Sequence, residues 1–213
     1  TDEQLTTANF QLSMGATRTV QGPDGEHYYS GWLMLFPAGD AAPMRRKHHM
    51  VVPPPRRVRF AGDGQMQVVW HEGLERYTQP VVLSALRVEG NSSFQMDNGR
   101  ITGKNFHGAT HVLHPGEFSS FIFSARVQFI RGERAGFVLR AGEDGKTGWQ
   151  VVVDRKRRRV EFGLIGRADF IDARAWQPID EVTVKVVANQ ESVEVYLDDR
   201  LFIHQVRHRE TAG

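Results

Sequence analysis

"ESVEVYLDDRLFIHQ", Glu191–Gln205, is the stretch whose reading decides the fold. Val193, Val195 and Leu197 alternate with Glu194 and Tyr196, and Asp198-Asp199 then turn the chain into a second apolar run. A period of two interrupted by a short acidic turn predicts a β-hairpin with one buried face. A hairpin with one buried face is expected to lie against further strands.

The preceding hundred residues supply those strands. In "SSFIFSARVQF", Phe121, Phe123, Ala125, Val127 and Phe129 share one face, against Ile122, Ser124, Arg126 and Gln128. "AGFVLRA", "GWQVVVD", "RVEFGLI", "EVTVKVVA" and "SVEVYLDD" follow as further short strands, separated by "GER", "GEDGKTG", "DRKRRR", "ANQE" and "DDR". Short strands with turn signals at such spacing predict an all-β, antiparallel β-sandwich or jelly roll, concanavalin-like, over roughly Val81 to Val206. Amphipathic helices are hard to find, and the short candidates are "TDEQLTTANF" and the stretch around Asp172–Trp176.

The first 80 or so residues read differently. "ATRTVQGPDGEHYYSGWLMLFPA" is two strands around a Gly-Pro-Asp-Gly turn, and a second hairpin surrounds Gly62-Asp63-Gly64. Pro53, Pro54 and Pro55 exclude a central strand there and predict an extended edge or crossover. Two hairpins do not make a core of their own, so this part is expected to need neighbouring sheet. The expected division is 1–78, the β-hairpin segment, and 79–213, the C-terminal sandwich.

Composition narrows the function. The chain has 213 residues, 40% hydrophobic and 10% aromatic, with 21 Gly and 9 Pro. Lys and Arg number 27 against 25 Asp and Glu, a formal charge of +2, so the pI of about 9.1 reflects the Arg-rich basic set and implies no nucleic-acid partner. No cysteine is present, which excludes disulfides and thiolate metal sites. No apolar run approaches the ~20 residues that cross a bilayer, so no membrane partner is expected. The compartment is left open between secreted and cytoplasmic.

Chemistry-bearing motifs are few. Arg155–Arg159, "RKRRR", falls between two strands and reads as a solvated hairpin turn. His107, His111 and His114 in "NFHGATHVLHP" could share a face, with Glu117 as a weak fourth ligand, but no metal or cofactor is expected. Asp144, Asp169 and Asp172 lack a calcium-loop spacing. There is no nucleophile elbow, Thr1 reads as an exposed end and not as a nucleophile, and Asp198-Asp199 and Asp180-Glu181 read as turn or strand-start residues. Exposed aromatic rings are the usual sugar platform, and Trp32, Trp70, Trp149 and Trp176 are available for it.

Taken in order, four stretches resemble the end of a glycoside hydrolase family 32 enzyme, the invertase, levanase and inulinase group. "VTVKVVANQESVEVYLDDRLFIHQVRHRE" resembles that family's closing hairpin, and "AGFVLRAGEDGKTGWQVVVDRKRRRVEF" its earlier sandwich strands, with Leu139-Arg140-Ala141 at the matching place. "GATRTVQGPDGEHYYSGWLM" resembles the last blade of its five-bladed β-propeller, and "VVPPPRRVRFAGDGQMQVVW" falls where the family has Leu-Pro-Arg and the strands leading out of the propeller.

The resemblance implies a sandwich that flanks and stiffens a propeller, with a carbohydrate ligand. It implies that Arg18 and Trp32, on the last blade, approach the sugar pocket, while Trp149, at a strand start after a glycine loop, and Trp176, beside a likely loop, are candidate substrate contacts by their own position in the sequence. The family's three catalytic carboxylate motifs (Trp-Met-Asn-Asp-Pro-Asn-Gly, Arg-Asp-Pro and Glu-Cys) do not occur here. No catalytic residue is therefore assigned, and the chain is not expected to hydrolyse a glycosidic bond alone. The expected partner is an N-terminal propeller chain or segment of the same protein. Two other readings stand beside this one: a stand-alone, non-catalytic carbohydrate-binding sandwich, and an assembly domain without a ligand.

Overall fold

A computed structural model describes residues 12–35, 49–51, 55–81, 87–89, 93–97, 100–104, 111–113, 116–142, 147–165, 170–177, 180–189 and 192–206. The "TDEQLTTANF" helix candidate and Pro53–Pro54 lie outside them. The described residues are almost entirely strands, and every described strand pair is antiparallel.

The N-terminal strands are β1 (Leu12–Gln21), β2 (His27–Leu35), β3 (His49–Val51), β4 (Arg56–Phe60) and β5 (Met66–Val69). Both predicted turns are present, each closed by a glycine at φ 80°, Gly25 and Gly64, a backbone region that disfavours other residues. A short 3-10 helix, Glu72–Tyr77, follows. Alternation does not announce it, because six residues are too few to show a helical period. Glu72 and Glu75 in its first turn and Arg76 in its last match the helix dipole, and Thr78 ends it by donating its N–H and hydroxyl to the Glu75 carbonyl.

Next come β6 (Arg87–Glu89), β7 (Ser93–Asp97), β8 (Arg100–Lys104) and β9 (His111–Leu113), in which β6 pairs with β9 around the β7–β8 hairpin. The sandwich proper uses β10 (Ser120–Gln128), β11 (Arg134–Leu139), β12 (Trp149–Asp154), β13 (Arg159–Leu164), β14 (Phe170–Ala175), β15 (Glu181–Asn189), β16 (Ser192–Leu197) and β17 (Arg200–Val206). The helix candidate around Asp172–Trp176 is corrected: residues 172–175 belong to β14, paired with β13, because an edge position on a sheet outweighs weak local helix propensity.

Two sheets enclose the core. One is four-stranded, β11-β12-β13-β14; the other is nine-stranded, β1-β2-β4-β5-β17-β16-β15-β10 with β3 attached to β2. Between them, Val151, Val153, Val160 and Phe162 of the first sheet meet Val182, Val184, Val186, Val193, Val195 and Ile203 of the second. Phe121, Phe123 and Val127 pack against that cluster, on the face the alternation assigns to them. Asp198 and Asp199 take φ of 47° and 63°, so the closing hairpin has the left-handed two-residue turn that matches strand twist.

The N-terminal strands join the sandwich sheet through a single described residue pair, Val69 opposite Arg200, reinforced by the Trp70 N–H donating to the Asp199 carbonyl at 2.7 Å. Beyond that joint the N-terminal strands bring Arg56 and Trp70 onto the outer face of β15 and β16. All six residues of β16 are buried. The closing hairpin thus has two covered faces on this strand, not one.

Candidate functional site

The alternation that points Val193, Val195 and Leu197 into the core must point Ser192, Glu194 and Tyr196 the other way. On an ordinary sandwich that face meets water. Here it meets β4, whose Arg56 is itself buried. Arg56 Nε donates to Glu194 Oε1 at 2.8 Å, and Nη2 donates to the same oxygen. Tyr196 Oη donates to Glu194 Oε2 at 2.5 Å. Arg56 Nη2 also lies 3.1 Å from Nδ1 and 3.2 Å from Nε2 of His204, and Ser192 Oγ is 3.1 Å from His204 Nε2.

The electrostatics follow from this geometry. Burial alone would raise the Glu194 carboxyl, but the Arg56 guanidinium and the hydrogen bonds override it and hold the group at about 2. Burial and the Arg56 charge push His204 down to about 3, so its ring is neutral and accepts from Arg56. Burial and the Glu194 charge raise the Tyr196 phenol well above its usual value.

A serine, a histidine and a glutamate within reach of one another invite comparison with a hydrolytic triad, and the geometry rejects it. A triad needs the acid on one ring nitrogen and the nucleophile on the other. Here Ser192 and Glu194 both approach Nε2, the latter at 3.8 Å, and all three side chains are sealed from solvent. The cluster is a clamp. It fastens the N-terminal strands to the sandwich.

A second set of interactions runs beside it. Lys185 Nζ on β15 sits 4.3 Å above the Trp70 ring and donates to Glu75 Oε1 at 3.0 Å, while Trp70 Nε1 donates to the same Glu75 oxygen at 3.0 Å. Trp70 meets Tyr196 edge to face, with ring centroids 5.4 Å apart. The 3-10 helix is what carries Glu75 to this joint, and the hydrogen bonds from Lys185 and Trp70 lower its carboxyl below the usual range.

The four candidate sugar contacts are scattered. Arg18 is solvent-exposed on β1, opposite Ser30 of β2. Trp32 lies on β2, opposite Gly15, with its side chain outside the described set. Trp149 and Trp176 are corrected to core residues: they are 3% and 7% exposed, and Trp149 stacks on Phe162 with centroids 5.2 Å apart. Rings buried to that depth have no face left for a sugar. Both stand beside loop signals in the sequence, yet the register that starts β12 at Trp149 turns its ring inward with Val151 and Val153.

His111 falls on β9, its side chain outside the described residues, as are His107 and His114. Among the described residues no cluster of three or more His, Asp or Glu could hold a metal ion, and no helix is long and apolar enough to cross a membrane, which says nothing of a β-barrel. "RKRRR" forms the β12–β13 turn and the start of β13.

No family profile matches the sequence, and no curated protein matches it either. Solved structures do match in fold. The carbohydrate-binding module CBM66 from Bacillus subtilis matches at a TM-score of 0.53 and 22% identity, over 58% of this chain and 80% of that one. Sucrose-6-phosphate hydrolase from Lactobacillus gasseri matches at 0.55 and 8% identity, over 93% of this chain and 37% of that one. Exo-inulinase from Aspergillus awamori matches at 0.55 and 13% identity, over 93% of this chain and 39% of that one. At these identities the likeness is one of fold, and it agrees with the glycoside hydrolase family 32 resemblance of the sequence. This chain spans less than two-fifths of the length of either enzyme.

Proposed function

We propose that the chain is the C-terminal part of a glycoside hydrolase acting on fructosides such as sucrose or fructans, in which residues 79–213 form a sandwich that supports a propeller and residues 1–78 form that propeller's last blade. One observation carries the reading: the buried Arg56–Glu194–His204 clamp. A stand-alone binding module has no need to seal the outer face of its own sheet with a blade-like set of strands. The fold likeness to the two enzymes runs through 93% of the chain, whereas the likeness to the binding module runs through 58%. In this reading Arg18 and Trp32 lie on the blade and approach the sugar, and the catalytic carboxylates come from the N-terminal propeller.

The alternative is a non-catalytic carbohydrate-binding sandwich, favoured by the 80% coverage of the CBM66 chain. Native and denaturing mass spectrometry on the protein from its source separates the two. A companion chain or a longer polypeptide that hydrolyses sucrose or inulin supports the first reading. A lone 24.1 kDa species that binds a fructan without cleaving it supports the second. A lone species that does neither overturns both.

A further inference from the structure

At one end of the sandwich three loops are knitted together. The Arg155 N–H donates to the Glu133 carbonyl at 2.8 Å, the Phe129 N–H to the Asp180 carbonyl at 2.9 Å, and the Trp176 N–H to the Arg158 carbonyl at 2.9 Å. This end carries the five consecutive cations Arg155–Arg159.

Some of them have structural work. Arg159 is paired with the fully buried Glu161, and Arg134 bridges Glu161 at 2.9 Å and Asp154 at 3.2 Å. Arg155 reaches Asp180 at 2.9 Å and lies over the Phe129 ring at 5.5 Å.

The others are loosely held. Lys156 meets Glu133 at 3.2 Å with both side chains well exposed, and such a pair contributes little in water. Arg157 touches Asp154 and Glu161 only at 4.0 and 3.7 Å, with more than half of its side chain in solvent. Arg131 and Arg158 are exposed and have no carboxylate partner among the described residues. Arg158 also takes φ 55°, where glycine or asparagine is the easier choice. Turn geometry therefore does not account for an arginine there, and ion pairing does not either.

We propose that this end of the sandwich, through Arg131, Lys156, Arg157 and Arg158, binds an acidic polysaccharide by its carboxylate or sulfate groups. Guanidinium forks match both anions in two-point geometry. A single-stranded nucleic acid is disfavoured because the aromatic rings at this end, Phe129 and Trp176, are buried and offer no stacking face. A membrane is disfavoured because Ile130 is the one large apolar side chain exposed among the described residues of these loops. Choosing a polysaccharide among polyanions rests on the carbohydrate role proposed above.

The test uses the full chain against polygalacturonate and dextran sulfate, with inulin, a single-stranded DNA oligonucleotide and phosphatidylserine vesicles alongside, at low and at physiological salt. Binding to polygalacturonate or dextran sulfate that weakens with salt, and that the double variant Arg131→Ser with Arg158→Gly weakens about three- to tenfold, is the expected result. Glycine suits the φ at 158, so the variant folds, and an unchanged melting temperature checks this. The choice between the two polymers tells carboxylate from sulfate recognition. No binding to either, no effect of the variant, or tighter binding to DNA or vesicles overturns the proposal. Inulin binding or cleavage is expected to be equal in wild type and variant, so this site and the fructoside function can fail separately.

Discussion

Replacing Arg56 by methionine keeps most of the side-chain volume and removes the charge against which Glu194 is buried. Glu194 would then be a buried carboxylate with Tyr196 as its remaining donor among the described residues. Removing one partner of a buried, hydrogen-bonded ion pair costs about 3–5 kcal/mol. The Glu194 carboxyl gives a consistent figure. Its shift from 4.5 to about 2 corresponds to about 3 kcal/mol of stability, on the order of 1.4 kcal/mol per unit.

The sign is fixed by the direction of the shift. A carboxyl lowered in the folded state stabilises fully above 4.5, and that contribution is lost as pH falls toward about 2. His204 acts in a higher window. Its value is lowered from 6.5 to about 3, so the unfolded chain binds a proton that the folded chain refuses, and stability falls by about 1.4 kcal/mol per unit as pH drops between those limits. The groups facing that ring are Arg56 from β4 and Ser192 and Glu194 from β16.

In Arg56→Met both effects relax. Glu194 takes up a proton more readily, and His204, freed of the guanidinium, can carry charge beside it. Urea denaturation followed by tryptophan fluorescence should show Arg56→Met less stable by about 3–5 kcal/mol at pH 7, with the penalty smaller by more than about 1 kcal/mol at pH 4. Arg56→Met combined with Glu194→Leu should recover much of the loss, because a matched apolar pair leaves no uncompensated charge. A penalty below about 1 kcal/mol at pH 7, or one independent of pH, would refute the clamp.

Three other outcomes are expected from the same denaturation assay. Lys185→Met, which takes the ammonium away from Glu75 and from the Trp70 ring, should destabilise by about 1–2 kcal/mol, and limited proteolysis should cut first near the 3-10 helix. Asp199→Gly, at φ 63° in the closing turn, should be neutral or stabilising by up to about 1 kcal/mol, since the turn favours glycine there and the Asp199 carboxylate stands 3.6 Å from Lys185 Nζ, a loose ion pair whose removal costs little. Trp149→Ala should cost about 3–5 kcal/mol, as expected of a core ring; a fully stable variant with altered sugar binding would instead restore Trp149 as a sugar-facing residue.

The strands of the sandwich are legible because a sheet with one apolar face writes its period into the chain. Phe121, Phe123 and Val127 on β10, and Val193, Val195 and Leu197 on β16, sit on the faces their alternation assigns. The turns are legible for an equally local reason, the left-handed backbone at Gly25, Gly64 and Asp198-Asp199. Strand β14 is not, since Phe170–Ala175 mixes charged and small residues at an edge, with Asp172 and Arg174 paired to each other.

By itself, then, the sequence determined an antiparallel all-β chain, most of its strands, and which residues of each strand share a face. Only the tertiary structure decided what covers each face. Glu194 and Tyr196 occupy positions that alternation assigns to solvent, and they are buried together with His204 because β4 brings Arg56 there, 138 residues from Glu194 in sequence. Glu161 is sealed in the same way on the other sheet, under arginines from β11, from the β12–β13 turn and from its own strand. Local alternation reports the two sides of a strand, whereas burial of a charge depends on a partner that only the folded chain brings within hydrogen-bonding distance.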